Sequence, residues 1–328
     1  MTVFGRYFIC VLLLITATGG AALAQQRLID SLKSTLTRRL PDTTRAQVYY
    51  DIANAFYKQS QSDSTLVYLT SVQRISQHAH YQTGLGDAAR LTGIVHTQKG
   101  QYSDALTYLQ TAIKYYTRAG NNRSVAKVYH SLGLLYKLMG DSQGVQAYTR
   151  QGIAYMQQAI AMNQRLKATK ELRGNYINLG ILYEDLGEIK QGRECFFKGL
   201  APMNNTEVQP DDARIFYNNL GKNFNVEKQY SQAIEYIEKA LAINLKQKRY
   251  SSLAHNYRNL ATSYIGLGQP EKAVQFAEKS LEQLKRSGDA PLANSVYGTL
   301  SRAYAAAGQY EKAYAASVTY KSIADSLM

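Results

Sequence analysis

Three columns of residue type recur down this chain at nearly constant spacing, and they limit its architecture more tightly than any other feature. A small residue stands at Ala53, Gly93, Gly133, Gly180, Gly221, Ala261 and Ser301. Four residues before each come Tyr49, Ala89, Tyr129, Tyr176, Tyr217, Tyr257 and Tyr297, and three after come Phe56, His96, Tyr136, Tyr183, Phe224, Tyr264 and Tyr304. The intervals are 40, 40, 47, 41, 40 and 40 residues. Offsets of three and four share one face of an α-helix. Each unit therefore opens with a helix whose packed face sets a small residue between larger ones. In the stretch Ile215 to Ile243 a second helix follows, with Ala233, Ile237, Ala240 and Leu241 on one face. Small positions against large ones let two backbones approach while side chains fill the flanking grooves.

The spacing Leu220-Gly221-x2-Phe224, followed by Ala233-x3-Ile237-x2-Ala240, resembles the tetratricopeptide repeat (TPR), a helix–turn–helix unit. The resemblance implies an all-α, right-handed TPR superhelix, an α-solenoid of about seven repeats. The repeats are expected over 46–328, starting near 46, 86, 126, 173, 214, 254 and 294. Gly100, Gly140, Gly187, Gly268 and Gly308 are read as the turn glycines between paired helices.

Before the repeats, residues 1–24 read as a signal peptide. Arg6 precedes an apolar run from Tyr7 to Ile15, and Ala22-Leu23-Ala24 is an A-x-A cleavage pattern. The run is short for a membrane span, so a mature chain beginning at Gln25 and exported to the periplasm or medium is expected. Residues 25–45 read as a capping helix, with Leu28, Leu32, Leu36 and Leu40 every fourth residue and a stop at Pro41-Asp42.

Charge is uneven. The whole chain carries +14, but Gln25 to Arg165 holds 16 Lys/Arg against 7 Asp and no Glu. A basic surface favours anionic partners. For an exported protein this means an anionic envelope component at the N-terminal half, and not nucleic acid.

Two repeats depart from the period. Seven extra residues fall in the third, between Met139 and Ile160. Seven residues turn a helix by nearly two full turns, so a lengthened second helix starting near Gln143 is expected to overhang its neighbours. In the fourth, Pro202, Pro210 and three acids within 201–213 predict a second helix that stops early and a loop after it.

The opening QQRLIDSLKSTL and LPDTTRAQVYYDIANAFY, and the closing YKSIADSLM, resemble the ends of the extracytoplasmic TPR region of bacterial sensor histidine kinases. Kinase motifs are absent, so that likeness implies a signal-input role and no kinase activity. The units Asn178-Leu179-Gly180, Asn219-Leu220-Gly221 and Asn259-Leu260-Ala261 resemble repeats of kinesin-light-chain type. The function expected is non-catalytic protein or peptide binding. The alternative is a sensor domain acting with a separate membrane kinase or regulator.

Catalytic and cofactor chemistry finds little support. Gly140-Asp141-Ser142-Gln143-Gly144 matches a nucleophile-elbow pattern, but that elbow needs a strand before the serine and here a helix is expected. His78 and His80 point apart on a helix, and His96 stands in an aromatic column. His130 and His255 lack carboxylates at ligand spacing, so no metal is expected. Cys195 reads as a small buried residue. No phosphate-binding or dinucleotide fingerprint occurs, so no cofactor is expected.

The binding groove is expected on the side of each first helix opposite its packed face. That phase selects Leu91, Ile94, Leu134, Leu138 and Ile181 as an apolar stretch. It also selects Asn178, Asn219 and Asn259 as one amide column, with Lys222 and Arg302 nearby. A side-chain amide can bond both the C=O and the N–H of an extended peptide, and the kinesin-light-chain resemblance implies that role for the asparagines. The last helix, about Tyr310 to Leu327, carries Ala313, Tyr314, Ala316, Val318, Tyr320 and Ile323 with no helix after it. Its face either pairs with a second copy or marks the chain as part of a longer receptor.

Overall fold

In the computed structural model, residues 25–204 and 206–326 are described. Residues 1–24, expected to be a signal peptide, and Leu327 lie outside them. The described residues are all-α, with one isolated bridge between Met203 and Thr206. The chain divides into two compact units, one running to Leu166 and the other from Lys167.

The first unit holds α1 (residues 25–35) and three helix pairs: α2 (Asp42–Lys58) with α3 (Ser62–His78), α4 (Gln82–Gln98) with α5 (Tyr102–Arg118), and α6 (Asn122–Gln143) with α7 (Gln146–Arg165). The second holds four pairs: α8 (Thr169–Asp185) with α9 (Ile189–Leu200), α10 (Pro210–Val226) with α11 (Tyr230–Lys246), α12 (Tyr250–Gly266) with α13 (Pro270–Ser287), and α14 (Ala290–Ala306) with α15 (Tyr310–Ser326). First helices begin four residues before the positions read from the sequence.

The small column works as its spacing requires. A Cβ on Gly133 would meet Met156 Cε at 2.8 Å, and one on Gly93 would meet Leu109 Cγ at 2.9 Å. Gly180 lies against the buried Phe196 ring and Gly221 against Ile237. Ser301 adds a bond from its Oγ to the Ala313 carbonyl at 2.9 Å. The larger columns form stacks: Phe224 and Tyr264 lie over Tyr236 and Phe276 with centroids 5.4 and 5.2 Å apart.

Helices end in a repeated left-handed cap. At Gly100, N–H groups of Gly100 and Gln101 reach back to Thr97 and His96 at 3.1 and 2.9 Å, which satisfies carbonyls the helix leaves open. Ser60 and Lys228 hold the same position with positive φ.

The capping helix ends at residue 35, before Pro41, and its anchor differs from the leucine spacing. Ile29 is fully buried against Val48, Ile52 and Ala55, while Leu28 is exposed and Leu32, Leu36 and Leu40 pack at the margin. The third repeat also differs from expectation. Its extra residues go to both helices: α6 has 22 residues and α7 has 20, where the neighbouring pair has 17 and 17. The second helix starts at Gln146, and α6 gains about 7 Å at 1.5 Å per residue. Gly140 is therefore not a turn residue. It is buried within α6, where a Cβ would meet Thr149, and Gly144 makes the turn at φ +66. The fourth repeat follows its prolines: α9 stops after 12 residues, and α10 begins at Pro210.

Candidate functional site

A cleft of about 680 Å³ opens in the second unit on one side of α10, α12 and α14, closed at one end by α15. Its basic groups are Lys222, Arg258 and Arg302. They differ in what already answers their charge. Lys222 Nζ donates to Glu184 Oε2 at 2.7 Å, and Asn223 holds the same carboxylate. Arg258 donates from Nη2 only to Asn259 Oδ1 at 3.0 Å, and Arg302 only to Thr299 Oγ1 at 3.3 Å. Among the described residues no carboxylate lies within 4.0 Å of either guanidinium. Burial, and after it the like charge of Arg302, push the Arg258 pKa below its ordinary value. Two cations facing one cleft without an anion create a positive potential that a carboxylate would relieve. Val226 and Tyr320, both exposed, give the cleft apolar margins.

The three asparagines share a register, each the tenth residue of its helix, but they do not form a common surface. Asn178 turns its Nδ2 onto the Gly174 carbonyl of its own helix at 3.1 Å. Asn219 is half-buried and not among the walls of the cleft. Asn259 lines the cleft but is only 5% exposed, and its Nδ2 donates to Asn218 Oδ1 at 3.2 Å. The tenth position faces the seam between successive first helices. Leu91 holds the same position in α4 and shows the consequence: at 2% exposure it is core, packed among Ala46, Ala53, Val72 and Ala88. Leu91 therefore drops out of the apolar stretch. Ile94, Leu134 and Ile181 are half-buried, and Leu138 stands exposed near the end of the lengthened α6.

Arg258, Asn218 and Asn225 were not singled out by sequence reasoning, and Tyr320 was expected on the face of the last helix and not in the groove. Arg258 and Asn218 each sit one residue before a selected asparagine, so a shift of 100° in the assumed phase separates them from it.

The rejected chemistry can be located. Ser142 lies in the last turn of α6, its Oγ bonded to the Met139 carbonyl at 3.2 Å. His96 stacks on Tyr108 with centroids 5.2 Å apart. Burial pushes the Cys195 thiol up to about 11. Among the described residues no cluster of His, Cys, Asp or Glu could hold a metal, and no helix is long and apolar enough to cross a membrane.

A family model described as tetratricopeptide repeat matches residues 211–286 and 252–316. None of the curated proteins compared with the chain matches it. Among solved structures, BtubC (BKLC) from P. vanneervenii is similar at 22% identity and a TM-score of 0.51, over 67% of this chain and 92% of that one. A signal transduction ATPase with numerous domains and a tetratricopeptide repeat sensor, from Pyrococcus horikoshii, is similar at 15% identity and a TM-score of 0.68. It covers 84% of this chain and 42% of its own. A Rap protein complexed with competence and sporulation factor is similar at 13% identity and a TM-score of 0.59, over 91% and 80%. With its small and large columns packed as paired helices, the chain has a tetratricopeptide-repeat-like fold, and residues 211–316 within it match that family's model.

Proposed function

We propose that this chain is a non-catalytic scaffold that binds an extended acidic segment of a partner protein in the cleft of its second unit. The observation that carries the reading is the pair Arg258 and Arg302, two guanidiniums on adjacent first helices that face one cleft with no carboxylate partner. Arginine forks bind carboxylates with charge-assisted hydrogen bonds. Val226 and Tyr320 would take apolar side chains of the same segment, and Asn225 and Asn259 border its path. The same fold in a Rap protein complexed with competence and sporulation factor supports ligand recognition as its use.

In this reading the protein acts outside the cytoplasm, on the strength of the apolar run and A-x-A pattern before Gln25. The basic N-terminal half would face an anionic envelope component. A signal-input role is the second reading, favoured by the end motifs shared with sensor kinases and by the sensor described in the Pyrococcus horikoshii protein. Tyr310 and Tyr314, each 73% exposed on α15, would suit contact with a second copy.

Selection of displayed random peptides on the protein tests the central point. Enrichment of Asp and Glu is expected. Calorimetry on the best peptide should show about 10- to 100-fold weaker binding to the Arg258→Ala/Arg302→Ala variant, from about 1.5–3 kcal/mol for hydrogen bonds to charged groups. Equal affinity in a folded double variant would overturn the reading.

A further inference from the structure

Behind the cleft lies a second, smaller cavity of about 130 Å³ between α10, α11 and α12. A directional chain of amides joins the two. Arg258 can only donate, and its Nη2 gives a proton to Asn259 Oδ1 at 3.0 Å. The Asn259 Nδ2 must then face Asn218, whose Oδ1 accepts it at 3.2 Å. That same oxygen accepts from Asn256 Nδ2 at 2.9 Å. Asn256 Oδ1 is thereby turned to Asn244, whose Nδ2 donates at 2.7 Å. Each amide orientation is fixed by the one before it, and the series starts at a group that cannot reverse. It ends at Asn244 Oδ1, a buried acceptor with no hydrogen-bond partner on a residue 2% exposed that lines the small cavity.

The remaining walls are partly answered: Arg214 Nη1 donates to Ser252 Oγ at 3.4 Å. Arg214 Nε is buried without a hydrogen bond, 3.7 Å from Asp211 Oδ1. Asn218 keeps its Nδ2 as a donor, since only its Oδ1 is engaged. His255 also faces the cavity, and burial, followed by the charge of Arg258, holds its pKa below the ordinary value. Buried polar atoms are normally paired, and leaving one unpaired costs about 1–3 kcal/mol. This cavity gathers one acceptor, Asn244 Oδ1, and one donor, Arg214 Nε, in that condition, with Asn218 Nδ2 as a second donor on a half-buried residue.

We infer that the small cavity is a subsite for a carboxamide. An anion would meet the Asn244 oxygen, and a cation would meet Arg214. An amide presents an N–H to Asn244 Oδ1 and a C=O to Arg214 Nε or Asn218 Nδ2 at the same time. The shared chemistry fits a glutamine or asparagine side chain and a main-chain peptide group alike. The inference stands apart from the charge of the ligand in the cleft, because its walls and its test are separate.

The test is NMR of the chain from Gln25 onward with ring-labelled histidine, followed at His255. The probes are propionamide for a side-chain amide, N-methylacetamide for a peptide group, butanone for an acceptor alone, and propionate for an anion. A saturable shift of the His255 signal by one or both amides is expected, with dissociation constants in the millimolar range and butanone at least about tenfold weaker. Preference for propionamide assigns a side chain, and preference for N-methylacetamide a main-chain group. Ser252→Leu, which fills the cavity from the α12 side, should abolish the shift with the fold retained. If no probe gives a saturable shift, water alone occupies the cavity and the inference fails. It also fails if all four probes bind equally, or if Ser252→Leu binds as the parent does.

Discussion

Arg173 Nη1 donates to the Gly199 carbonyl at 2.6 Å, from the first helix of the fourth repeat to the end of the second. The same guanidinium reaches the carbonyls of Ala201 at 3.3 Å and Thr206 at 2.8 Å. One buried arginine thus closes the helix that stops early and holds the loop that follows. The loop has no regular partner for these carbonyls, so the arginine supplies what a longer helix would have supplied.

Arg173→Met keeps much of the volume and removes every donor. It should destabilise the second unit by about 2–4 kcal/mol, the scale of charged hydrogen bonds less the desolvation they answer. Denaturant unfolding measures it. Loss of under about 0.5 kcal/mol would mean that water substitutes for the guanidinium.

Three glycine substitutions separate helix propensity from packing. Alanine in a helix interior is favoured over glycine by about 1 kcal/mol. At Gly174 nothing lies within 4 Å of an added Cβ, so Gly174→Ala should stabilise by about 0.5–1 kcal/mol. At Gly133 the obstacle is the flexible end of Met156, and the two effects should nearly cancel. At Gly180 it is the fully buried ring of Phe196, which cannot yield, and overpacking of about 1–3 kcal/mol should prevail. A different order of the three midpoints would show that the helix pairs adjust as rigid bodies.

The contrast between these glycines marks how far the sequence could be read. The columns at Gly133, Gly180 and Gly221 carried the pairing of helices, because a small residue against a large one leaves a local trace at a fixed period. The stop after Leu200 was legible from Pro202 and Pro210 for the same reason. The cleft was legible only in part. Lys222, Arg302 and Asn259 lie in it, but a 100° rotation separates a groove-facing residue from one in the seam, and Leu91 and Asn259 fall in the seam. No rule of spacing shows that Lys222 is already matched by Glu184, 38 residues away, while Arg258 meets only the Asn259 amide and no carboxylate among the described residues. The third-repeat insertion was split between α6 and α7 because its turn formed at Gly144 and not at Gly140.

Acid should weaken the second unit through His255. Burial lowers its pKa, the charge of Arg258 adds to the effect, and Asp289 opposes it. Between the folded value and the ordinary value of about 6.5 the unfolded chain binds more protons. The stability tied to neutral His255 is therefore complete above about pH 6.5 and declines as pH falls through it. His255→Gln has no proton to gain and should lose less stability on acidification. Parallel pH profiles of parent and variant would show that His255 titrates alike in both states.

Asn218 offers the sharpest separation of structure from recognition, because its Oδ1 alone accepts from both Asn256 and Asn259. Asn218→Leu removes that acceptor and leaves two buried donors unanswered, at about 1–3 kcal/mol each, so the second unit should lose roughly 2–6 kcal/mol. Asn218→Asp keeps an acceptor in the same place and should preserve most of the stability. Its new charge lies one side chain from Arg258, through Asn259, and partly answers the guanidinium that we assign to an acidic ligand. The aspartate variant should therefore fold nearly as the parent does while binding an acid-rich selected peptide more weakly, by about tenfold at low salt. The difference should shrink as salt rises past about 0.15 M, where screening shortens to about 8 Å. Denaturant unfolding and calorimetry on the two variants give both readouts. An aspartate variant that binds the peptide as tightly as the parent at low salt would place the ligand's charge away from Arg258.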